Sequence, residues 1–327
     1  MKFSQKSLPY KVFKTIGKNK LIAPGEKIVV AVSGGADSVC LFDVLFKLKN
    51  RLNIDLAVCH YNHRLRGEDS YNDFAFVKKI AKDYGTDFFG GEAKRDNLFK
   101  NEEEARFARY QFFEKILREG RGDKMAVAHN LNDQIETFFL RLLRGTGLSG
   151  LKSIPYRREK FIRPLLDISR IEIEDYLQKE GLSFRVDQTN FDLSFTRNYF
   201  RHKVIPMLQK INPNLEETLA GTIASLNEDD ELIEKLSEEA FKNILESEEK
   251  NKIILSRKKW LLLPSALRSG TIRYAISQLS SLLDITAKQL EEVKNILEKG
   301  EGKKFRPLPH SLRVHLVSGK IVVLVEK

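Results

Sequence analysis

The chain is short of several things that would have fixed its chemistry at once. It has two cysteines in 327 residues, Cys40 and Cys59, and no C-x-x-C pair. That argues against a disulfide framework, a structural zinc site and dithiol redox chemistry. No apolar run is long enough to span a bilayer, and no signal-peptide pattern opens the sequence, so a cytoplasmic protein without a membrane partner is expected. A Walker A loop is absent, which disfavours ordinary kinase or GTPase chemistry, and so is the G-x-G-x-x-G fingerprint of dinucleotide binding. Internal repeats and low-complexity tracts are also missing. The remainder is ordinary: 42% hydrophobic residues and mixed charge describe a globular chain long enough for one sizeable domain and one small one. The net charge is +11 although Glu228 to Glu249 is strongly acidic, so the remainder is more basic than the total suggests. Basic residues gather in 141–210, 257–259 and 299–327. A polyanionic partner and a solvated lysine-rich surface both account for this, and charge alone does not separate them.

The most informative stretch is I-V-V-A-V-S-G-G-A-D-S, residues 28–38. Ile28, Val29, Val30 and Val32 read as a strand buried on both faces. Gly34 and Gly35 form a tight turn, and Asp37 and Ser38 open an apolar helix running to Leu48. The amides of such a turn and first helical turn converge on an anion. The bland alternative is a plain strand-to-helix turn with Ser33 or Asp37 as helix cap.

Further along, strands at about 54–59, 86–89 and 125–128 alternate with helices at 70–84, 102–119 and 132–144. This predicts a parallel sheet with helices on both faces. Ligands of such sheets bind beyond the carboxyl ends of strands where the order reverses. The Ser33 turn and the His129 turn are therefore expected to face one crevice. Asp133 and Glu136, three apart on the next helix, would point there together, to hold a metal, to hold a cationic substrate, or merely to complement the helix dipole. His129 reads as a satisfied turn residue, a phosphate donor or a group that positions a base. Arg106 and Arg109 share a helix face, and Arg197 and Arg201, with His202 beside them, form another cationic face: a clamp on phosphates or RNA, or a surface helix start. A capping box at Ser169/Glu172 starts a helix ending near Gly181; from about residue 212 the character changes to helices, one spanning Asn214 to Leu245, with a capping box at Thr286/Gln289 and a terminal hairpin at Ser318-Gly319.

Taken together, the motifs S-G-G-A-D-S, H-Y-N-H-R-L-R, E-E-E-A-R-F-A-R-Y, A-H-N-L-N-D-Q-I-E-T, R-G-T-G-L-S-G-L, D-Q-T-N and R-N-Y-F-R-H-K-V-I-P resemble those of the tRNA(Ile)-lysidine synthetase family, within the PP-loop ATP pyrophosphatase group. The resemblance is strong from Ile28 to Leu208, and the extra terminal domain of longer members is expected to be missing. It implies an α/β fold, a Rossmann-like sheet of the adenine-nucleotide α-hydrolase type, with residues 1–211 as catalytic domain. Residues 212–327 would form a smaller, mainly helical tRNA-binding domain ending in short strands. It implies ATP as co-substrate with Mg²⁺, L-lysine and the CAU-anticodon isoleucine tRNA as partners, and lysidine formation through an adenylated cytidine. Ser33, Gly34, Gly35, Ala36, Asp37 and Ser38 would hold ATP, Asp37 acting through Mg²⁺. Arg106 would stabilise phosphate charge, and Asp133 and Glu136 would bind lysine and take part in catalysis, with one of them or His129 as base. Arg197 would be catalytic as well, and Arg144, Arg197 and Arg201 would contact tRNA. One departure stands out: many relatives carry a second histidine where this chain has Asn130. A His-Asn pair also occurs in related tRNA-thiolating enzymes, an alternative that needs reactive cysteines. A third reading is a non-catalytic protein that binds nucleotide and RNA. The oligomeric state is left open, a homodimer included.

Overall fold

The computed structural model describes residues 4–65, 67–95, 98–99, 101–186, 192–280, 285–300 and 306–325. The D-Q-T-N motif, Asp187 to Asn190, lies outside the described residues. The chain forms two compact units, residues 1–140 with 153–220 and residues 141–152 with 221–327.

In the first unit the elements run in the order α1 (Leu8–Lys18), β1 (Lys27–Ala31), α2 (Ala36–Leu52), β2 (Asp55–Asn62), α3 (Glu68–Asp83), β3 (Asp87–Glu92), α4 (Glu102–Arg118), β4 (Lys124–Ala126) and α5 (Leu131–Arg144). After α6 (Leu148–Leu151) come β5 (Arg157–Arg158), β6 (Phe161–Ile162), α7 (Arg170–Glu180), α8 (Thr196–Tyr199), a π-helical turn (Phe200–Val204) and α9 (Ile205–Ile211). The six-stranded sheet has the order β3-β2-β1-β4-β6-β5, parallel throughout except β5 against β6. Both faces are covered, as the apolar strands require. Ile28 and Val30 join one apolar cluster with Val12 and Ile16 of α1, Leu41 and Leu45 of α2, Val77 of α3 and Leu177 of α7. Val29, pointing the other way, joins Cys59, Met125, and Phe113, Ile116 and Leu117 of α4. That alternation is the two-residue period of a strand read directly in its packing. Because β2 and β4 pair on opposite sides of β1, the strand order reverses at β1, and the ends of β1 and β4 open side by side.

Helix α10 (Leu215–Ile244) runs through the boundary between the units. Beyond it lie β7 (Leu245–Glu249), β8 (Lys252–Ser256), α11 (Arg257–Trp260), α12 (Ser265–Leu279), α13 (Ala287–Lys299), β9 (Arg306–Leu308), β10 (Leu312–Val317) and β11 (Lys320–Val325). The strands form an antiparallel sheet, β7-β8-β11-β10-β9. Its inner residues, Ile253, Leu255, Val314, Ile321 and Val323, pack with Trp260, Ile272, Ile276, Val293 and Leu297. The terminal hairpin turns at Ser318 and Gly319, both at positive φ as a tight hairpin demands. Both capping boxes form, Ser169 with Glu172 and Thr286 with Gln289. The β7–β8 hairpin was not foreseen. The acidic run of α10 continues into β7, an edge strand whose side chains are mostly solvated and so carry no alternating apolar signal. Segment 141–152 is tied to α10 within the second unit: Ser149 donates to Asp230 at 2.6 Å, and Lys152 pairs with Asp230 and Glu234 at 2.5 and 3.0 Å.

Close packing gives a direct test at β3. A Cβ on Gly91 would lie 2.5 Å from the Phe112 ring of α4. Gly91→Val is expected to cost about 1–3 kcal/mol through overpacking and to lower the thermal midpoint. Gly17→Ala, in helix α1 where nothing lies within 4 Å, should instead stabilise by about 0.5–1 kcal/mol. Thermal unfolding of the two variants, monitored by circular dichroism, checks the opposite signs.

Candidate active site

The turn after β1 is held open by its own hydroxyls. Gly34 takes φ +96, which side chains rarely tolerate, and its carbonyl accepts from the Arg185 amide at 2.9 Å. The Ser38 hydroxyl donates to the Gly35 carbonyl at 2.8 Å and accepts from the Ser33 amide at 3.1 Å. The Gly35 amide donates to Ser33 Oγ at 3.3 Å, with Ser33 Oγ 3.1 Å from Ser38 Oγ. Neither Ser33 nor Asp37 caps the helix; the cap is Gly35, without a side-chain bond. Ala36, Asp37 and Ser38 form the first turn of α2, so their amides have no carbonyl of that helix to bond and remain aimed outward with the helix dipole behind them. From β2, His60 Nδ1 donates to the Val32 carbonyl at 2.7 Å, pinning the start of the turn. Burial pushes the His60 pKa below its ordinary value.

The turn after β4 meets this one through Asn130. Its side-chain amide donates to Asp37 Oδ1 at 3.0 Å. Its backbone amide donates to Asp133 Oδ2 at 3.0 Å, and its side-chain oxygen accepts from the Asp133 amide at 3.1 Å. Arg170, the first residue of α7, donates to Asp37 Oδ2 at 2.8 Å. Burial raises the Asp37 pKa; Arg170 pulls it back and the Asp133 charge adds to the rise. One turn along α5, Glu136 has a side chain only 1% exposed and accepts from Arg201 Nε at 2.6 Å, while Arg201 also lies 3.6 Å from Asp133 Oδ1. Burial raises the Glu136 pKa against the pull of Arg201. Burial likewise opposes the Arg201 charge, but Glu136 and Asp133 more than offset it and hold its pKa up.

His129 sits between these groups and a set of cations. Arg163, 5% exposed, donates from Nε to His129 Nδ1 at 3.3 Å and from a terminal nitrogen to the Pro155 carbonyl at 2.9 Å. Burial first, then the guanidiniums of Arg163, Arg106, Arg109 and Arg197, push the His129 pKa down to about 3. Burial and these cations oppose protonation of the ring, and its Nδ1 faces a donor. Arg106 also lies over the Tyr110 ring and donates to its hydroxyl at 3.4 Å.

Between the ends of β1, β2 and β4 and helix α4 lies a cavity of about 430 Å³. Ser33, Gly35, Asp37 and Ser38 form one wall and His129 another, with His60, Asn62, His63, Arg109, Tyr110 and Phe113 completing it. Of the residues expected from the sequence, the structure gathers Ser33, Gly34, Gly35, Ala36, Asp37, Ser38, Arg106, His129, Asp133, Glu136, Arg197 and Arg201 into the first unit at these strand ends. Arg144, at the end of α5, belongs to the second unit and is exposed. Sequence reasoning overlooked Arg163 and Arg170. Arg170 was signalled by its place next to the capping serine, Arg163 by nothing beyond a strand ending in Arg-Pro. Cys40 and Cys59 are buried, and burial pushes both thiols well above their ordinary range. No group of three His, Cys, Asp or Glu able to hold a metal occurs among the described residues.

Known proteins are similar to this chain over most of its length. A family model described as a PP-loop domain matches residues 7–208. A tRNA(Ile)-lysidine synthase of Clostridioides difficile is 35% identical over 97% of this chain and 70% of its own length. One of Caldanaerobacter subterraneus is 38% identical over the whole chain and 71% of its length, and one of Geobacter sulfurreducens 40% identical over 79% and 56%. Among solved structures, the U34-tRNA thiolase NcsA of Methanococcus maripaludis, with its [4Fe-4S] cluster, superposes with a TM-score of 0.56 at 19% identity, over 67% of this chain and 77% of that one; this likeness is one of fold. The chain belongs to the tRNA(Ile)-lysidine synthase family, on a PP-loop catalytic domain.

Proposed function

We propose that this chain ligates L-lysine to the wobble cytidine of the CAU-anticodon isoleucine tRNA, with ATP converted to AMP and pyrophosphate. The observation that carries the reading is the Asn130 bridge from Asp37 to Asp133, which joins an anion-binding turn to a pair of carboxylates. An enzyme that activates with a triphosphate and then transfers to a cationic amino acid needs those two subsites in contact.

In the first step the cytidine carbonyl oxygen attacks the α phosphorus and pyrophosphate leaves. Ser33 to Ser38 bind the phosphates through backbone amides and hydroxyls. His129, neutral, donates from Nε2, and Arg106, Arg109 and Arg197 supply the positive field that steadies the departing pyrophosphate. Asp37 would be the protein contact of a magnesium ion brought in with the ATP, and that ion would supply neutralisation of phosphate charge. In the second step the side-chain amine of lysine attacks the activated carbon and AMP leaves. Asp133 and Glu136 hold that amine, and one of them takes its proton. Burial raises the Glu136 pKa, which suits its carboxylate to accept that proton. The target base must be unstacked to react, and the basic second unit, with Arg144, is assigned the grip on the tRNA. Sulfur transfer finds no support here, since both thiols are buried and hard to ionise.

Incubation with ATP, lysine and transcribed isoleucine tRNA should yield lysidine by nucleoside mass measurement; ATP consumption with ammonia or another amino acid as acceptor would defeat the reading. Glu136→Gln is expected to lower lysine transfer by about 10²–10⁴-fold while pyrophosphate release stays within several-fold, so that adenylated tRNA accumulates. A Cys40→Ala/Cys59→Ala variant that folds should keep its lysine-dependent product. Binding to tRNA should weaken by about tenfold or more between 50 and 200 mM salt, because Lys and Arg contacts release counterions; filter binding across that range checks it.

A further inference from the structure

Among the described residues, Arg163 is a buried cation with no carboxylate beside it. It lies just past β6, the strand beside β4, and among the described residues no Asp or Glu lies within ion-pairing distance of it. Its bonds go instead to a backbone carbonyl, Pro155, and to a ring nitrogen, His129 Nδ1, with the Tyr110 hydroxyl of α4 as a further neutral partner. Burying a charge with no counter-charge is unfavourable for folding, so its chemical consequence for His129 is the informative part. A guanidinium has only donors. Facing one, Nδ1 must present its lone pair, and the ring proton must sit on Nε2. Protonating the ring would set N–H against N–H and cation against cation.

We propose that Arg163 is a positioning residue which locks His129 in the neutral Nε2–H tautomer, making it a fixed hydrogen-bond donor to the reacting phosphates and removing it as a base. The assignment rests on the function proposed above; it leaves proton removal from lysine to Asp133 and Glu136. The surroundings agree. Arg106 and Arg109 approach His129 from α4 and Arg197 from α8, all positive, and the cavity that His129 lines also holds Asp37 and His63. A neutral donor adds to that field without the repulsion a fifth cation would bring, and a tautomer fixed in advance does not have to be selected at each turnover.

The test reads the ring itself. In the full chain with ¹⁵N-labelled histidine, His129 is identified by comparison with a His129→Asn variant, and its nitrogen shifts are recorded from pH 5 to 8. The wild-type ring is expected to stay neutral with the proton on Nε2 throughout. In Arg163→Met the ring should populate the Nδ1–H form alongside Nε2–H. Arg163→Lys, again donor only, should restore the Nε2–H form. In pyrophosphate release, Arg163→Met should lose about tenfold or more in kcat with KM for ATP within threefold. A wild-type His129 that titrates near 6.5, or an unchanged tautomer in Arg163→Met, overturns the proposal. Should Arg163→Met not fold, the wild-type ring and Arg163→Lys still decide it. Because the spectra need no substrate, a missing lysidine product in the wild type would defeat the proposed function and leave the ring assignment standing.

Discussion

Two turns, one after β1 and one after β4, are brought into register by a single side chain, and the chemistry of the site depends on that junction. Asn130 is buried, its amide reaches Asp37 and its oxygen caps the start of α5 through the Asp133 amide. An amide suits the position because it offers a donor and an acceptor in fixed relation, so it satisfies a carboxylate on one side and a backbone N–H on the other. The strand order makes this possible: β1 is the point where the sheet reverses, so the ends of β1 and β4 are neighbours and the helices after them start side by side. A histidine in this place would offer its donor and acceptor on opposite sides of a ring and would hold the Asp37 carboxylate and the Asp133 amide at a different spacing.

Charge within the site is divided rather than mixed. Each acid has a cation on it, Arg170 on Asp37 and Arg201 on Glu136 and Asp133. Around His129 lie four guanidiniums, and a helix N-terminus lines the same cavity. Such an excess of positive charge in a partly desolvated pocket favours a polyanion strongly, since a low local dielectric magnifies each contact. The acid half is closed on itself by its arginines, and the basic half stands ready for phosphate. The depressed pKa of His129 and the raised pKa values of Asp37 and Glu136 share burial as their first cause, with neighbours deciding how far each moves.

What could be read in the sequence was whatever is encoded locally. The run 28–38 announced a buried strand, a glycine turn and a helix, and each of these is present; the alternate burial of Val29 against Ile28 and Val30 is the same pattern in three dimensions. The capping boxes at Ser169 and Thr286 were equally plain, because both partners lie within one turn. The contacts that complete the site are not local. Arg170 meets Asp37 across 133 residues and Arg163 meets His129 across 34. Neither is signalled by periodicity, since a buried arginine inside an apolar segment looks like an interruption of the pattern. The β7–β8 hairpin escaped for a related reason: Leu245 to Glu249 comes after thirty helical residues with no breaker, and its edge position lets it stay polar.

The segment carrying Arg197 and Arg201 shows how backbone irregularity changes a sequence-level inference. On a regular helix, residues four apart stack one above the other and form a single cationic face. Here α8 lasts four residues and gives way to a π-helical turn, Phe200–Val204, before α9 resumes. A π turn closes hydrogen bonds one residue further along than an α turn, so it widens the helix and rotates the residues beyond it. Arg201 stands inside that wider turn and delivers Nε to Glu136. Arg197, before it, adds its charge to the surroundings of both His129 and Glu136. Phe200, the first residue of the turn, is buried and stacks on Phe139 of α5, fixing the π turn against the same helix that carries the acids. The π turn delivers Arg201 onto Glu136, and Arg197, one turn earlier, adds its charge to the same carboxylate.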